Sequence, residues 1–157
     1  MPVSVETQKE LLGLLIAAEN RCAALYTLFA GTLGEHRELW KTMADEERRH
    51  AAVLQALAGK IAAGEASFGE GAIRADAMRQ FLEYVEVMAQ EAAGGKITPE
   101  RALGIAVDIE RSYVERKVLN HFEGDTPAVA QALTVLREES FRHASEAEMA
   151  WLEARRK

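Results

Sequence analysis

A glutamate and a histidine stand three residues apart in the segment Met-Ala-Asp-Glu-Glu-Arg-Arg-His-Ala-Ala-Val-Leu, which runs from Met43 to Leu54. In a helix, Glu47 and His50 project from one face about one turn apart, so a carboxylate oxygen and an imidazole nitrogen can reach one cation held between helices. Such donors suit iron, manganese or zinc. The pair is in phase with Trp40, Met43, Leu54 and Leu57 and therefore sits on the seam that should face the core. Glu19 interrupts a second apolar stripe, and Glu110 a third. On a fourth, Ser140 and His143 follow Leu136 at the same spacing. Burying Glu19, Glu47 and Glu110 together is unfavourable unless positive charge sits among them. Lys117 lies about two turns from Glu110, at one end of the layer. Metal ions would balance the charge. One Glu from each of two helices, with Glu-x-x-His from the other two, would surround two such ions, and this chain has most of that pattern.

The elements that must carry these residues are helices. Ala, Leu, Glu, Arg and Met are abundant, and the three prolines are Pro2, Pro99 and Pro127, so the composition favours helix almost throughout. The first helix is expected from about Ser4 to Leu33, with Ser4 as cap. Leu12, Leu15, Glu19, Cys22, Tyr26, Phe29 and Leu33 form its seam at alternating steps of three and four. A short glycine break leads to a second helix, about Glu35 to Ala58, antiparallel to the first. Gly64, Gly69 and Gly71 mark Ile61 to Ile73 as a loop, and Arg74 to Ala93 as a helix within a long crossover. Thr98 and Pro99 open a helix expected to reach about Phe122, with Leu103, Val107, Glu110 and Val114 as its stripe. Pro127 opens the last, whose seam includes Leu133, Leu136, Ser140, His143 and Ala147. Residues 1–157 thus form one all-α domain, two antiparallel helix hairpins joined by a crossover that carries an extra helix. Glu19 with Glu47 and His50 in the first half, and Glu110 with Ser140 and His143 in the second, make a degenerate internal repeat.

Composition excludes several function classes. A net charge of −6 with mixed signs along each helix argues against a nucleic-acid surface. The single cysteine, Cys22, can form neither an internal disulfide nor a four-cysteine metal site. No basic start followed by an apolar core opens the chain, and no window reads as a membrane span. A soluble, cytoplasmic protein is expected, with no membrane partner.

Four stretches resemble the ferritin-like superfamily, and within it the rubrerythrin-type di-iron proteins. They are Ala17-Ala18-Glu19-Asn20-Arg21 with Tyr26 one heptad after the Glu, Asp45-Glu46-Glu47-Arg48-Arg49-His50-Ala51, Ile109-Glu110-Arg111, and Glu138-Glu139-Ser140-Phe141-Arg142-His143. The resemblance spans nearly the whole chain and implies a ferritin-like four-helix bundle. Family ligands carry over to Glu19, Glu47, His50, Glu110 and His143. The fourth helix departs from the pattern, with Ser140 where the family has the Glu of its second Glu-x-x-His. Glu139, four residues before His143, or Glu146, three after it, could replace that carboxylate if the helix rotated or distorted. A third-helix Glu that some rubrerythrins place three residues after the first is Tyr113 here, and one cysteine leaves no rubredoxin domain.

Two functions follow. In the first, non-haem iron, one or two ions per chain, serves a di-iron carboxylate oxidoreductase acting on peroxide, dioxygen or ferrous iron. A peroxidase of this kind needs an external electron donor. In the second, the scaffold is metal-depleted or binds one metal and acts as a helical interaction or oligomerisation module without catalysis. Bundles of this type often associate, a homodimer being the simplest case. Cys22 and Tyr26 are expected in the core, where Tyr26 can donate a hydrogen bond to a ligand carboxylate. Glu46, out of phase with Trp40 and Met43, is expected in solvent, and His36 and His121 are solvated or capping groups near helix ends.

Overall fold

The computed structural model describes residues 4–68, 74–112, 122–124 and 127–157. The chain is all-α. Among the described residues it forms α1 (Val5–Thr32), α2 (Arg37–Ala62), α3 (Ala75–Ala93), α4 (Pro99–Arg111) and α5 (Pro127–Arg155), together with two short strands, β1 (Ala66–Phe68) and β2 (Phe122–Gly124).

Local chemistry explains most boundaries. The Ser4 hydroxyl accepts from the Thr7 amide at 3.2 Å, satisfying one of the donors that a helix start leaves unpaired. Thr98 does the same for Arg101 at 3.2 Å, with Pro99 behind it at the first helical position. Between α1 and α2 the chain reverses through Gly34 and His36, both with positive φ, of 73° and 58°. His36 occupies the N-cap position of α2 but is exposed and its side chain makes no capping bond.

Three boundaries differ from the sequence expectation. The second helix continues past Ala58 to Ala62, because Ile61 is buried in the core and draws the last turn onto it. The segment expected to be a loop contains β1, which pairs antiparallel with β2 in the register Ala66↔Gly124, Ser67↔Glu123 and Phe68↔Phe122. That pairing ties the start of the crossover to the approach to α5. The fourth helix ends at Arg111, not near Phe122: Ser112 turns to φ −56° and ψ 130°, and Phe122 belongs to β2. Tyr113, Lys117 and His121 lie outside the described residues.

α1 packs along α2 and α3, α4 packs along α5, and α2 also meets α5. The α1–α2 and α4–α5 pairs are antiparallel. Phe29, late in α1, sits edge-on to Trp40, early in α2, with ring centroids 5.0 Å apart, whereas Leu12 and Leu15 share a cluster with Leu54 and Leu57. In the other pair, Glu110 lies near His143, and Gly104, earlier in α4, faces Trp151, later in α5. A Cβ at Gly104 would stand 3.3 Å from the Trp151 indole nitrogen, so the small residue permits this approach.

The apolar interior divides into two clusters. One gathers Tyr26, Phe29, Trp40, Met43, Leu103 and Ala106; the other gathers Leu12, Leu15, Leu54, Leu57, Leu133 and Leu136. Between them in sequence on α1, α2 and α5 stand Glu19, Glu47, His50, Ser140 and His143, all buried, with Glu110 buried on α4. α1 is long and apolar enough to cross a membrane by length and composition alone, although the sequence suggested no such window. Half of that window is buried inside the fold, as in the core helix of a packed domain.

Candidate metal centre

Polar groups reach the middle of this protein because helical phase leaves them no other direction. Glu19 is one step along the seam from Leu15 and Cys22, and Glu47 and His50 continue the line of Trp40 and Met43. A helix that buries Trp40, Met43, Leu54 and Leu57 must also bury whatever stands between them at the same spacing. Glu47 and His50 are each 1% exposed, Glu110 1% and His143 0%.

These side chains form two groups that could each hold a metal ion: Glu19 with Glu47 and His50, and Glu47 with Glu110 and His143. In each, one ligand atom per residue lies within 4.8 Å of the others, and Glu47 belongs to both. The Nδ1 atom of His50 is 3.8 Å from carboxylate oxygens of both Glu19 and Glu47. The Nδ1 atom of His143 is 2.9 Å from Glu47 and 3.7 Å from Glu110. The two imidazole rings are 5.6 Å apart. Five of the six metal-ligand candidates named from the sequence, Glu19, Glu47, His50, Glu110 and His143, are thus brought together.

Glu139, the sixth, stands elsewhere. It contacts the opposite edge of His50, with its oxygen 2.9 Å from Nε2, and it does so from a continuous helix without the rotation that the sequence pattern required. Glu146 is largely exposed and lies 3.9 Å from Arg142 on the outer face of α5. Ser140 is buried at the position that a second inward carboxylate would occupy.

Tyr26 donates its phenol hydrogen to Glu110 across 2.7 Å. Burial raises the Tyr26 pKa well above its usual value, and the charge of Glu110 raises it further, so the phenol stays a donor. Its ring stacks on Trp40 at 5.8 Å, which fixes the direction of the hydroxyl. For His143, burial alone would lower the pKa. The carboxylates of Glu110 and Glu47 outweigh that effect and lift it to about 10, so the metal-free imidazole is a cation among acids.

Glu46 corrects the sequence reading. It is 6% exposed, not solvated, and one of its oxygens contacts His143 Nε2 while the other contacts Arg142. Residue 46 is only about 100° around the helix from residue 47. Whether it meets water or protein depends on where the partner helix lies, and α5 lies on that side. The Glu-Arg-His pattern shared by Glu46, Arg49 and His50 with Glu139, Arg142 and His143 was the available signal.

A cavity of about 10 Å³, close to the room one water needs, borders Glu19, Glu47 and Cys22. Cys22 itself packs in the apolar cluster beside Tyr26. A surface groove of about 580 Å³ around Tyr84, Arg101 and Trp151 touches none of the buried Glu and His residues. Comparison with protein-family models, curated proteins and solved structures finds no match.

Proposed function

We propose that this chain is a ferritin-like four-helix bundle that holds non-haem iron at Glu19, Glu47, His50, Glu110 and His143 and acts as a rubrerythrin-type di-iron carboxylate oxidoreductase. One observation carries the reading: Glu47 is shared by two buried groups, each with one imidazole and two carboxylates. A carboxylate common to two sites is what a bridging ligand requires, and the mixture of oxygen and nitrogen donors suits iron, with manganese or zinc as competitors. Three protein donors at each position would leave room on a bound ion for a small oxidant.

Bound iron would supply electron exchange with peroxide or dioxygen, or be oxidised itself as the ferrous substrate. This chain's residues supply the rest. Glu47 would tie the two positions together, His50 and His143 would offer imidazole nitrogens, and Tyr26 restrains Glu110 while leaving one of its oxygens outside that bond. The apolar clusters on both sides limit water. A peroxidase cycle draws on an external electron donor, and the single cysteine suits a reducing cytoplasm.

Ser140 favours a second reading. A buried hydroxyl where a second bridging carboxylate would stand weakens one position. The scaffold would then hold a single metal or none and serve as a helical interaction module. Metal analysis of protein purified with iron present separates the two. About two irons per chain, lost in Glu47→Ala, support the oxidoreductase. Absence of metal, with a thermal midpoint that rises when Glu19 or Glu110 becomes Leu, rejects it, since a metal-free core gains by losing buried charge.

A further inference from the structure

A groove of about 500 Å³ runs between the end of α1 and the start of α2, and none of the buried Glu and His residues lines it. Its floor is Ala30, Gly31 and Ala44, whose side chains do not extend past Cβ. A Cβ added at Gly31 would meet no atom within 4 Å, so the groove is open above that residue. Its rim is cationic. Arg37, Lys41 and Arg48 line it from α2, and positions so spaced fall within about 40° of one line along a helix. The chain as a whole carries −6, so this row of cations runs against the general charge.

The cations are held in ways that suit an incoming anion. Arg37 donates through Nε to the Ala30 carbonyl at 3.2 Å, which lies in the last turn of α1, where carbonyls run out of partners in their own helix. That bond fixes the side chain and leaves both Nη groups outside it. Among the described residues no carboxylate pairs with Arg37, whereas Arg79, Arg101 and Arg111 are each matched by a glutamate. Arg48 donates through Nη2 to Thr27 Oγ1 at 2.7 Å, and Thr27 passes its own hydrogen to the Ala23 carbonyl at 2.8 Å. Asp45, the one acid of the lining, accepts from Nη1 of the same guanidinium at 2.9 Å. Arg48 is thus pinned across the groove with its remaining N–H hydrogens left for another acceptor. Lys41 lies 3.7 Å from Glu38, but both are largely exposed, and such a pair holds its partners weakly. Arg37 is also the first residue of α2, where the helix dipole is already positive, and the His36 side chain makes no capping bond there. Positive charge gathered in this way calls for an anion.

We propose that the groove between α1 and α2 binds linear inorganic polyphosphate. Along the helix axis Arg37 and Lys41 are about 6 Å apart and Arg48 is about 10 Å beyond, a span too long for one phosphate and suited to several in a row. Guanidinium forks and a lysine ammonium pair with phosphoryl oxygens, and the small floor residues let a chain of phosphates lie close to the helices. No aromatic ring and no apolar side chain larger than a methyl group lines the groove, so nothing in it recognises a nucleobase or an acyl chain. The site stands apart from the metal-binding reading and does not depend on it.

Calorimetry of the full chain at low ionic strength, with sodium tripolyphosphate as the probe, tests the site. One tripolyphosphate binds per chain, and orthophosphate binds roughly 10-fold more weakly or less. Arg37→Gln and Lys41→Gln each weaken tripolyphosphate binding roughly 10-fold, the loss of one charge-assisted hydrogen bond. Gly31→Leu keeps every charge but fills the groove, and it weakens binding as much. Leucine favours helix over glycine, so this variant carries the test if a charge variant does not fold. Lys60→Gln removes a cation from the same helix outside the groove and binds like the parent. ATP binds no more tightly than tripolyphosphate, and a short polyglutamate peptide binds more weakly. A parent that binds no tripolyphosphate, or binding that Arg37→Gln and Gly31→Leu leave unchanged, overturns the proposal. Tighter binding of ATP would assign the groove to a nucleotide, and equal or tighter binding of polyglutamate to an acidic protein segment; either result overturns it as well.

Discussion

Glu47 belongs to both groups that could hold a metal ion, and that gives it a different mutational signature from its neighbours. Glu47→Ala should abolish binding at both positions, whereas Glu19→Ala or Glu110→Ala should leave about one metal per chain, measured by elemental analysis. Tyr26→Phe removes the 2.7 Å donor to a buried carboxylate. It should lower metal-free stability by roughly 1–3 kcal/mol in urea unfolding. His143 sets a pH dependence. Its folded pKa is raised to about 10 by Glu110 and Glu47 against the opposing effect of burial, while the unfolded value is near 6.5. Its contribution to stability is therefore full below about pH 6.5 and is lost as pH rises through about 10. The metal-free thermal midpoint should fall over that window, and His143→Gln should flatten the fall. At this scale the inner residues were legible because seam phase alone buries Glu19, Glu47, His50, Glu110 and His143. Glu46 was not legible, because its burial depends on α5, a partner that the local pattern of α2 does not specify.

At the scale of elements, the signals that could be read were those satisfied within a few residues. Ser4, Thr98 and Pro99 mark helix starts through their own hydrogen bonds and ring geometry, and the structure has α1 and α4 beginning where they indicate. Thr98→Ala should cost about 1 kcal/mol, with a correspondingly lower denaturation midpoint and no change in metal binding. The β1–β2 ribbon depends on pairing between segments far apart in sequence, and neither three-residue strand is long enough to show a period of its own. The end of α4 was missed for the same reason. Helix propensity runs on past Arg111, while Phe122 to Gly124 is held by contact with Ala66 to Phe68, and tertiary pairing overrides propensity. The α1–α2 hairpin was foreseen because a turn as short as Gly34 to His36 leaves antiparallel packing as the compact choice.

Across the whole molecule, the polar layer lies between two apolar clusters, and the stability of each helix pair is linked to how its buried charge is balanced. Leu54, buried in the cluster that Leu12 and Leu15 share, is remote in function but not in packing. Leu54→Ala should cost roughly 2–5 kcal/mol by leaving a cavity, seen as a lower urea midpoint with the metal stoichiometry retained in whatever fraction folds. Binding of a cation to the native state alone should stabilise the chain by about 2.7 kcal/mol when free metal is one hundred times its dissociation constant. Glu47 is proposed to join two metal positions in one buried layer. Its most direct test is the iron content of the purified, iron-supplied chain beside that of Glu47→Ala. About two ions per chain in the parent and none in the variant are expected; a parent without iron, or a variant that retains it, would show that Glu47 joins no such positions.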